Sequence, residues 1–212
     1  GTRHPTSYGV RAALYFAENL ARAGYVVVSG LARGIDTAAH RGTLRMHGKT
    51  IAVLGHGLDH VYPAENRRLT MEILDEGGCL VSEYPPFTFP QKHFFPERNR
   101  IIAGLARGTV VIEAGERSGS LITGRWALEE GREVFVVPAM FDWPSFGGSH
   151  RLLQQGAKLV TAISDIIDEF PKSVKKEVPL KISKQAAALQ DSFAGKTGDV
   201  SLEELFSRSS MQ

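Results

Sequence analysis

Residues 94–124 read FFPERNRIIAGLARGTVVIEAGERSGSLITG, joining a basic helix start to a short apolar strand and that strand to a Gly/Ser turn that opens another helix. Residues 109–113 are rich in β-branched side chains without polar alternation, the pattern of a strand covered on both faces. A helical pattern over 120–130 and a second apolar run over 133–137 follow, so strand, helix and strand succeed one another within one stretch.

The same alternation continues in both directions. Residues 25–29, 50–54 and 79–82 read as further strands bounded by Gly or Pro, with 158–160 a weaker sixth. Helical patterns occupy 6–23, 36–47, 64–76, 96–107, 149–155 and 164–170. The first opens on a Thr6 or Ser7 cap and repeats Val10, Leu14, Ala17 and Ala21 at helical spacing. Regular alternation of this kind predicts an α/β fold, a doubly wound, mostly parallel sheet with helices on both faces.

At 212 residues and 42% hydrophobic content the chain can bury one substantial core. The expected organisation is one domain over 1–170, a linker rich in Lys, Pro and Ser over 171–184, and a short helical tail over 185–212, a possible remnant of a winged-helix domain. Gly1-Thr2-Arg3 reads as a loop leaving a strand, which predicts further chain, including a first strand, ahead of it. No apolar run approaches the roughly 20 residues that cross a bilayer, and there is no signal-peptide pattern. The lone Cys79 excludes an internal disulfide framework and suits a reducing, cytoplasmic location.

The net charge of +2 hides a segregated distribution. Residues 1–49 carry +5 and residues 92–107 carry +3, whereas 50–91 and 108–170 carry −4 each. Local positive potential governs nucleic-acid binding, so these segments could build one basic face, although scattered solvated charge gives the same count.

In open α/β sheets ligands bind beyond the carboxyl ends of the strands. Ser118-Gly119-Ser120 falls at such a position and offers backbone N–H groups, hydroxyls and a helix dipole to a phosphate, although an ordinary cap and turn reads the same way. Gly55-x-Gly57 also follows a strand, but His60 stands where a dinucleotide fingerprint has its third glycine, which argues against a nicotinamide cofactor. Lys92-His93-Phe94-Phe95-Pro96-Glu97-Arg98-Asn99-Arg100 is more specific. Cations near a helix start oppose the macrodipole and point to a compensating anion, and aromatics beside them can stack on bases. The competing reading puts one Phe in the core and pairs the arginines with Glu97 or Glu113. The histidines show no metal spacing, so neither a metal nor another cofactor is expected. Asp36 and His40, four apart on one helix, read as a helix-stabilising pair rather than a catalytic couple.

Taken in order, several segments resemble the DprA/Smf family of bacterial DNA-processing proteins. They are Gly1-Thr2-Arg3, Ser29-Gly30-Leu31-Ala32-Arg33-Gly34-Ile35-Asp36, Pro63-x-x-Asn66-Arg67, Ser82-Glu83-Tyr84-Pro85, Phe95-Pro96-x-Arg98-Asn99-Arg100 and Ser118-Gly119-Ser120. The resemblance covers about residues 1–160 and departs at Pro138-Ala139, where Pro-Gly is usual.

It implies an extended Rossmann-like domain that binds single-stranded DNA without catalytic turnover, works as a homodimer, and helps to load a RecA-type recombinase during natural transformation. Carried onto this sequence, the DNA pocket would use Arg3, Lys92, Phe95, Arg98, Asn99 and Arg100, with Lys49 and Ser118, Gly119 and Ser120 as further phosphate contacts. Two other readings compete. The related nucleotide phosphoribohydrolases share the sheet order but carry Pro-Gly-Gly-x-Gly-Thr-x-x-Glu where this chain has Glu113-Ala114-Gly115-Glu116-Arg117-Ser118-Gly119-Ser120. The third reading is a recombinase-interaction scaffold.

Overall fold

The computed structural model describes residues 1–170. The 171–184 linker and 185–212 tail expected from the sequence lie outside the described residues.

Strands β1 (Val27–Ser29), β2 (Thr50–Leu54) and β3 (Cys79–Ser82) form one parallel sheet in the order β1-β2-β3, and β4 (Gly108–Val111), β5 (Glu133–Val136) and β6 (Lys158–Leu159) form a second in the order β4-β5-β6. Helices α1 (Ser7–Arg22), α2 (Ile35–Leu44), α3 (Arg67–Asp75), α4 (Phe94–Leu105), α5 (Ser120–Glu129), α6 (Gly147–Gln154) and α7 (Ser164–Ile167) fill the connections. A 3-10 turn over Ala64–Asn66 leads into α3, so the helix expected from residue 64 begins in a tighter turn.

Double winding is visible in the second sheet, where side-chain alternation sends neighbours into different cores. Phe135 and Val137 pack with Ala13 and Phe16 of α1, whereas Val134 and Val136 pack with Ala103 of α4, Ala127 of α5 and Leu152 of α6. Apolar residues at consecutive positions are needed to fill both sides, which is why β5 reads as an unbroken run. The first sheet rests on α3 through Ala52, Leu54, Leu69 and Ile73.

The single sheet expected from the sequence is divided, because β1 and β4 are not paired. Both strands instead line a cleft of about 780 Å³, walled by Ala13 and Phe16 of α1 and by Ile102 and Leu105 of α4. Helices cover this gap just as they cover a sheet, so the interruption has the surroundings of a strand position. At its carboxyl end the gap opens on the loops after β1 and β4 and on the start of α4.

Candidate nucleic-acid interface

Three short segments converge at the open end of the cleft. The first holds Arg3, which is fixed to both halves of the molecule. The Thr2 N–H donates to the Glu113 carbonyl beyond β4 at 2.8 Å, and the Thr2 carbonyl accepts from the N–H of Ile35, the first residue of α2, at 3.2 Å. Gly34, at φ 76°, permits this approach, since a Cβ there would lie 2.8 Å from Pro5 Cδ and 2.9 Å from the Arg3 carbonyl carbon. Arg3 remains exposed, with its guanidinium carbon 5.4 Å from the centre of the Phe95 ring.

The second segment is the start of α4. Phe95 is half-buried against Gly55 and lies 5.5 Å from Tyr62, centre to centre. Arg98, only 3% exposed, turns inward and donates to the Gly30 carbonyl at 2.8 Å and to the Val53 carbonyl. Burial lowers its pKa from the ordinary value, opposed by the charge of Asp36. Asn99 donates to the Gly119 carbonyl at 3.3 Å, tying α4 to the third segment, and Arg100 is exposed and paired with Glu83.

Neither acid named by the competing reading holds these arginines. Glu97 accepts from the Tyr84 hydroxyl at 3.3 Å. Fully buried Glu113 accepts from the Thr6 N–H and hydroxyl at the amino end of α1, where the dipole favours a carboxylate.

The third segment, Gly115 to Ser120, runs into α5. The Ser118 and Ser120 hydroxyls are 2.7 Å apart, and the N-cap Gly119 has no side chain, so the Ser118 hydroxyl reaches the Ser120 N–H at 3.4 Å in its place. A Cβ on Gly119 would meet nothing within 4 Å, so this backbone is open to close approach.

Arg3, Phe95, Arg98, Asn99, Ser118, Gly119 and Ser120 all line the one cleft. Lys92 is exposed on the turn ahead of α4, and Arg100 points to Glu83. Lys49 stands apart, at the amino end of β2, roughly 20 Å along the strand from the loop that begins at Gly55.

Sequence reasoning passed over three participants. Arg33 and Tyr62 share a smaller recess with Arg3 and Phe95, and Arg117 lines the main cleft. The motifs around Arg33 and Pro63 were the available signals. Asn66 donates to the Leu31 carbonyl and the Thr37 hydroxyl, each at 2.9 Å, while Asp36 accepts from the Gly30 and Ala32 N–H groups at 3.1 and 3.3 Å. Those bonds hold Leu31 at a left-handed φ of 57°, a conformation costly for a leucine, and so fix the loop that presents Arg33.

The Asp36 and His40 pair is structural. Asp36 closes the loop after β1, and His40 Nδ1 lies 2.8 Å from the Thr50 hydroxyl. Burial pushes the His40 pKa down to about 4, against the opposing pull of Asp36, so the imidazole is neutral at pH 7. Among the described residues no cluster of ligands could hold a metal, and no helix is long and apolar enough to cross a membrane.

The sequence model of the family DNA recombination-mediator protein A matches residues 1–171. The chain is 46% identical to DNA processing protein DprA of Bacillus subtilis over 172 residues, which is 81% of this chain and 58% of the relative. It is 48% identical to protein Smf of Escherichia coli, covering 80% of this chain and 46% of that one, so it spans about half the length of the curated relatives it matches. Among solved structures it resembles DNA processing protein A of Streptococcus pneumoniae with a TM-score of 0.74 at 47% identity, covering 80% of this chain and 59% of the other. DNA processing protein A of Helicobacter pylori, described for its single-stranded DNA binding mode, gives a TM-score of 0.72 at 32% identity, covering 80% and 76%. The extended motifs, the parallel doubly wound architecture and these matches agree: the chain belongs to the DNA recombination-mediator protein A (DprA/Smf) family.

Proposed function

We propose that this domain binds single-stranded DNA at the carboxyl end of the cleft, without catalytic turnover, and serves recombination in the cytoplasm. The observation that carries the reading is the placement of Arg3 over Phe95 in the same cleft as the paired Ser118 and Ser120 hydroxyls at the start of α5. A base packs on Phe95 while Arg3 and Arg117 hold phosphates, Arg33 exchanges its ion pair with Glu65 for another, and the Ser118-Gly119-Ser120 turn accepts a further one. This division gives affinity with little sequence preference. Arg100 and Lys92 add exposed positive charge beside the opening, whereas Arg98 acts as a positioning residue that locks α4 to the loops after β1 and β2. The Helicobacter pylori relative, described for its single-stranded DNA binding mode, supports the same ligand.

Two further roles rest on family membership. We infer that the domain pairs as a homodimer and presents the bound strand to a RecA-type recombinase, as the family description, a recombination mediator, favours. Strands β1 and β4 are unpaired and both line the cleft, which supports the inference that an apolar strand ahead of Gly1 would lie between them.

The test is fluorescence anisotropy of a labelled oligo-thymidine and a duplex of equal length with the native chain and with Arg3→Ala. Preference for the single strand, weakened by salt and by the substitution, is the expected result. Equal binding of both forms, or binding indifferent to Arg3, would refute the assignment. A nucleoside monophosphate hydrolysis assay checks the phosphoribohydrolase alternative and is expected to show no turnover.

A further inference from the structure

Beyond the pocket lies an aromatic ledge that family membership does not account for. Phe87 is 78% exposed and Phe89 68%, far more than large apolar rings in a well-covered surface need to be. Phe87 also adopts a left-handed φ of 63°, an outlier for a bulky side chain that persists only where its surroundings impose it.

Those surroundings are visible. Asp59 accepts from the Phe87 N–H, and the Gly57 N–H donates to the Thr88 carbonyl at 2.9 Å. Gly57 makes the approach possible, because a Cβ there would lie 2.6 Å from the Pro85 carbonyl oxygen and 2.7 Å from the Asp59 carboxylate. The loops after β2 and β3 are thus locked together in a form that holds an aromatic ring out into solvent at a conformational cost. The exposed Phe87 ring returns little packing for that strain.

The ledge continues the pocket. From Phe95 the rings pass to Tyr62 at 5.5 Å, and two residues earlier in the same loop His60 stacks on Phe89 at 4.5 Å with an interplanar angle of 24°. One face of Phe89 is therefore backed by an imidazole while the residue stays largely exposed. The stretch from Pro85 to His93 holds Lys92 and His93 and no acid, and the Asp59 carboxylate accepts from the Phe87 N–H. Bare aromatic rings, with Lys92 three residues from Phe89 in the chain, match unstacked nucleobases.

We propose that a single strand leaving the Phe95 pocket crosses Tyr62 and stacks successive bases on Phe89 and Phe87, making this ledge a second base-binding subsite. The proposal rests on the pocket assignment, so its test separates the two. Affinities of the native chain and a Phe87→Ala/Phe89→Ala variant are measured for oligo-thymidines of about 6 and about 20 nucleotides, within and beyond the span of one small binding fold. Both rings are exposed, so the variant is expected to fold normally, which circular dichroism checks.

The expected result is that the variant binds the short strand like the native chain but loses about tenfold on the long one. The long strand with abasic sites outside its central six nucleotides should bind the native chain no better than the variant binds the intact strand. Retention of the long-strand affinity by the variant overturns the ledge and leaves the pocket standing. Equal loss on both lengths, or a changed oligomeric state in sedimentation, also overturns it, in favour of a structural or self-association role. A native chain that binds neither length overturns the pocket reading and the ledge together.

Discussion

The loops beyond the two half-sheets bring different chemistry to the same opening. Those after β1, β2 and β3 present large side chains: Arg33, Tyr62, Phe87 and Phe89, with Phe95 at the start of the next helix. The loop after β4 presents the exposed Arg117, two hydroxyls, a glycine with open space around it and the start of α5, and no aromatic ring. The first half is suited to flat, apolar bases and the second to compact, negatively charged phosphates. A polymer that alternates the two groups can be held by both halves at once, and Arg3, whose neighbour Thr2 is bonded to both Glu113 and Ile35, spans the division.

A second contrast, between buried and exposed cations, sets the order of expected effects. Arg98→Ala removes a guanidinium buried against two carbonyls and beside Asp36, and should cost about 3–5 kcal/mol in urea unfolding. If it weakens DNA binding without loss of stability, Arg98 is a DNA ligand and not a positioning residue. Next in size, adding an apolar five-residue segment ahead of Gly1 should raise the melting temperature by about 5 °C or more, since it would pair with both β1 and β4. An unchanged midpoint would mean that the gap is not a strand position.

The pH dependence follows from His40. Its folded pKa of about 4 lies below its ordinary value of 6.5, so the unfolded chain binds the extra proton first and stability is lost as pH falls from about 6.5 toward 4. Between pH 7 and pH 5 the loss attributable to this group is about 2 kcal/mol, and a His40→Gln variant should show a correspondingly flatter profile in denaturant titrations. Smaller effects belong to the exposed cations. Arg3→Ala and Arg100→Ala should each leave stability within about 0.5 kcal/mol, weaken oligo-thymidine binding several-fold, and lower the salt slope by about 0.7 for each phosphate no longer neutralised. Lys49→Ala, at the far end of β2, should change affinity less than about twofold, as read by anisotropy.

Much of this arrangement was legible in the sequence because the signals were local. Residues 50–54 and 79–82 are strands as read, and the β5 run appears in the structure one residue shorter; the apolar, β-branched runs of β2 and β5 leave a covered strand little alternative. The start of α4 was also readable as a cation-rich site. What the pattern could not show was direction. Arg98 and Arg100 are two residues apart, about 200° around a helix, so one faces the carbonyls of Gly30 and Val53 and the other Glu83. Nor did it reveal Tyr62 and Arg33, which reach Phe95 only through loop conformations fixed by Asn66 and Asp36, or the division of the sheet, which is a relation between strands far apart in the chain.

The central claim, that single-stranded DNA lies across Phe95 at the carboxyl end of the cleft, is tested most directly by photo-crosslinking. A bromodeoxyuridine oligonucleotide is irradiated with the native chain and the attachment sites are mapped by mass spectrometry. Cross-links at Phe95 and Tyr62, abolished by Arg3→Ala, are the predicted result. Cross-links confined to the opposite end of the sheet, around His47 and Lys49, would contradict it.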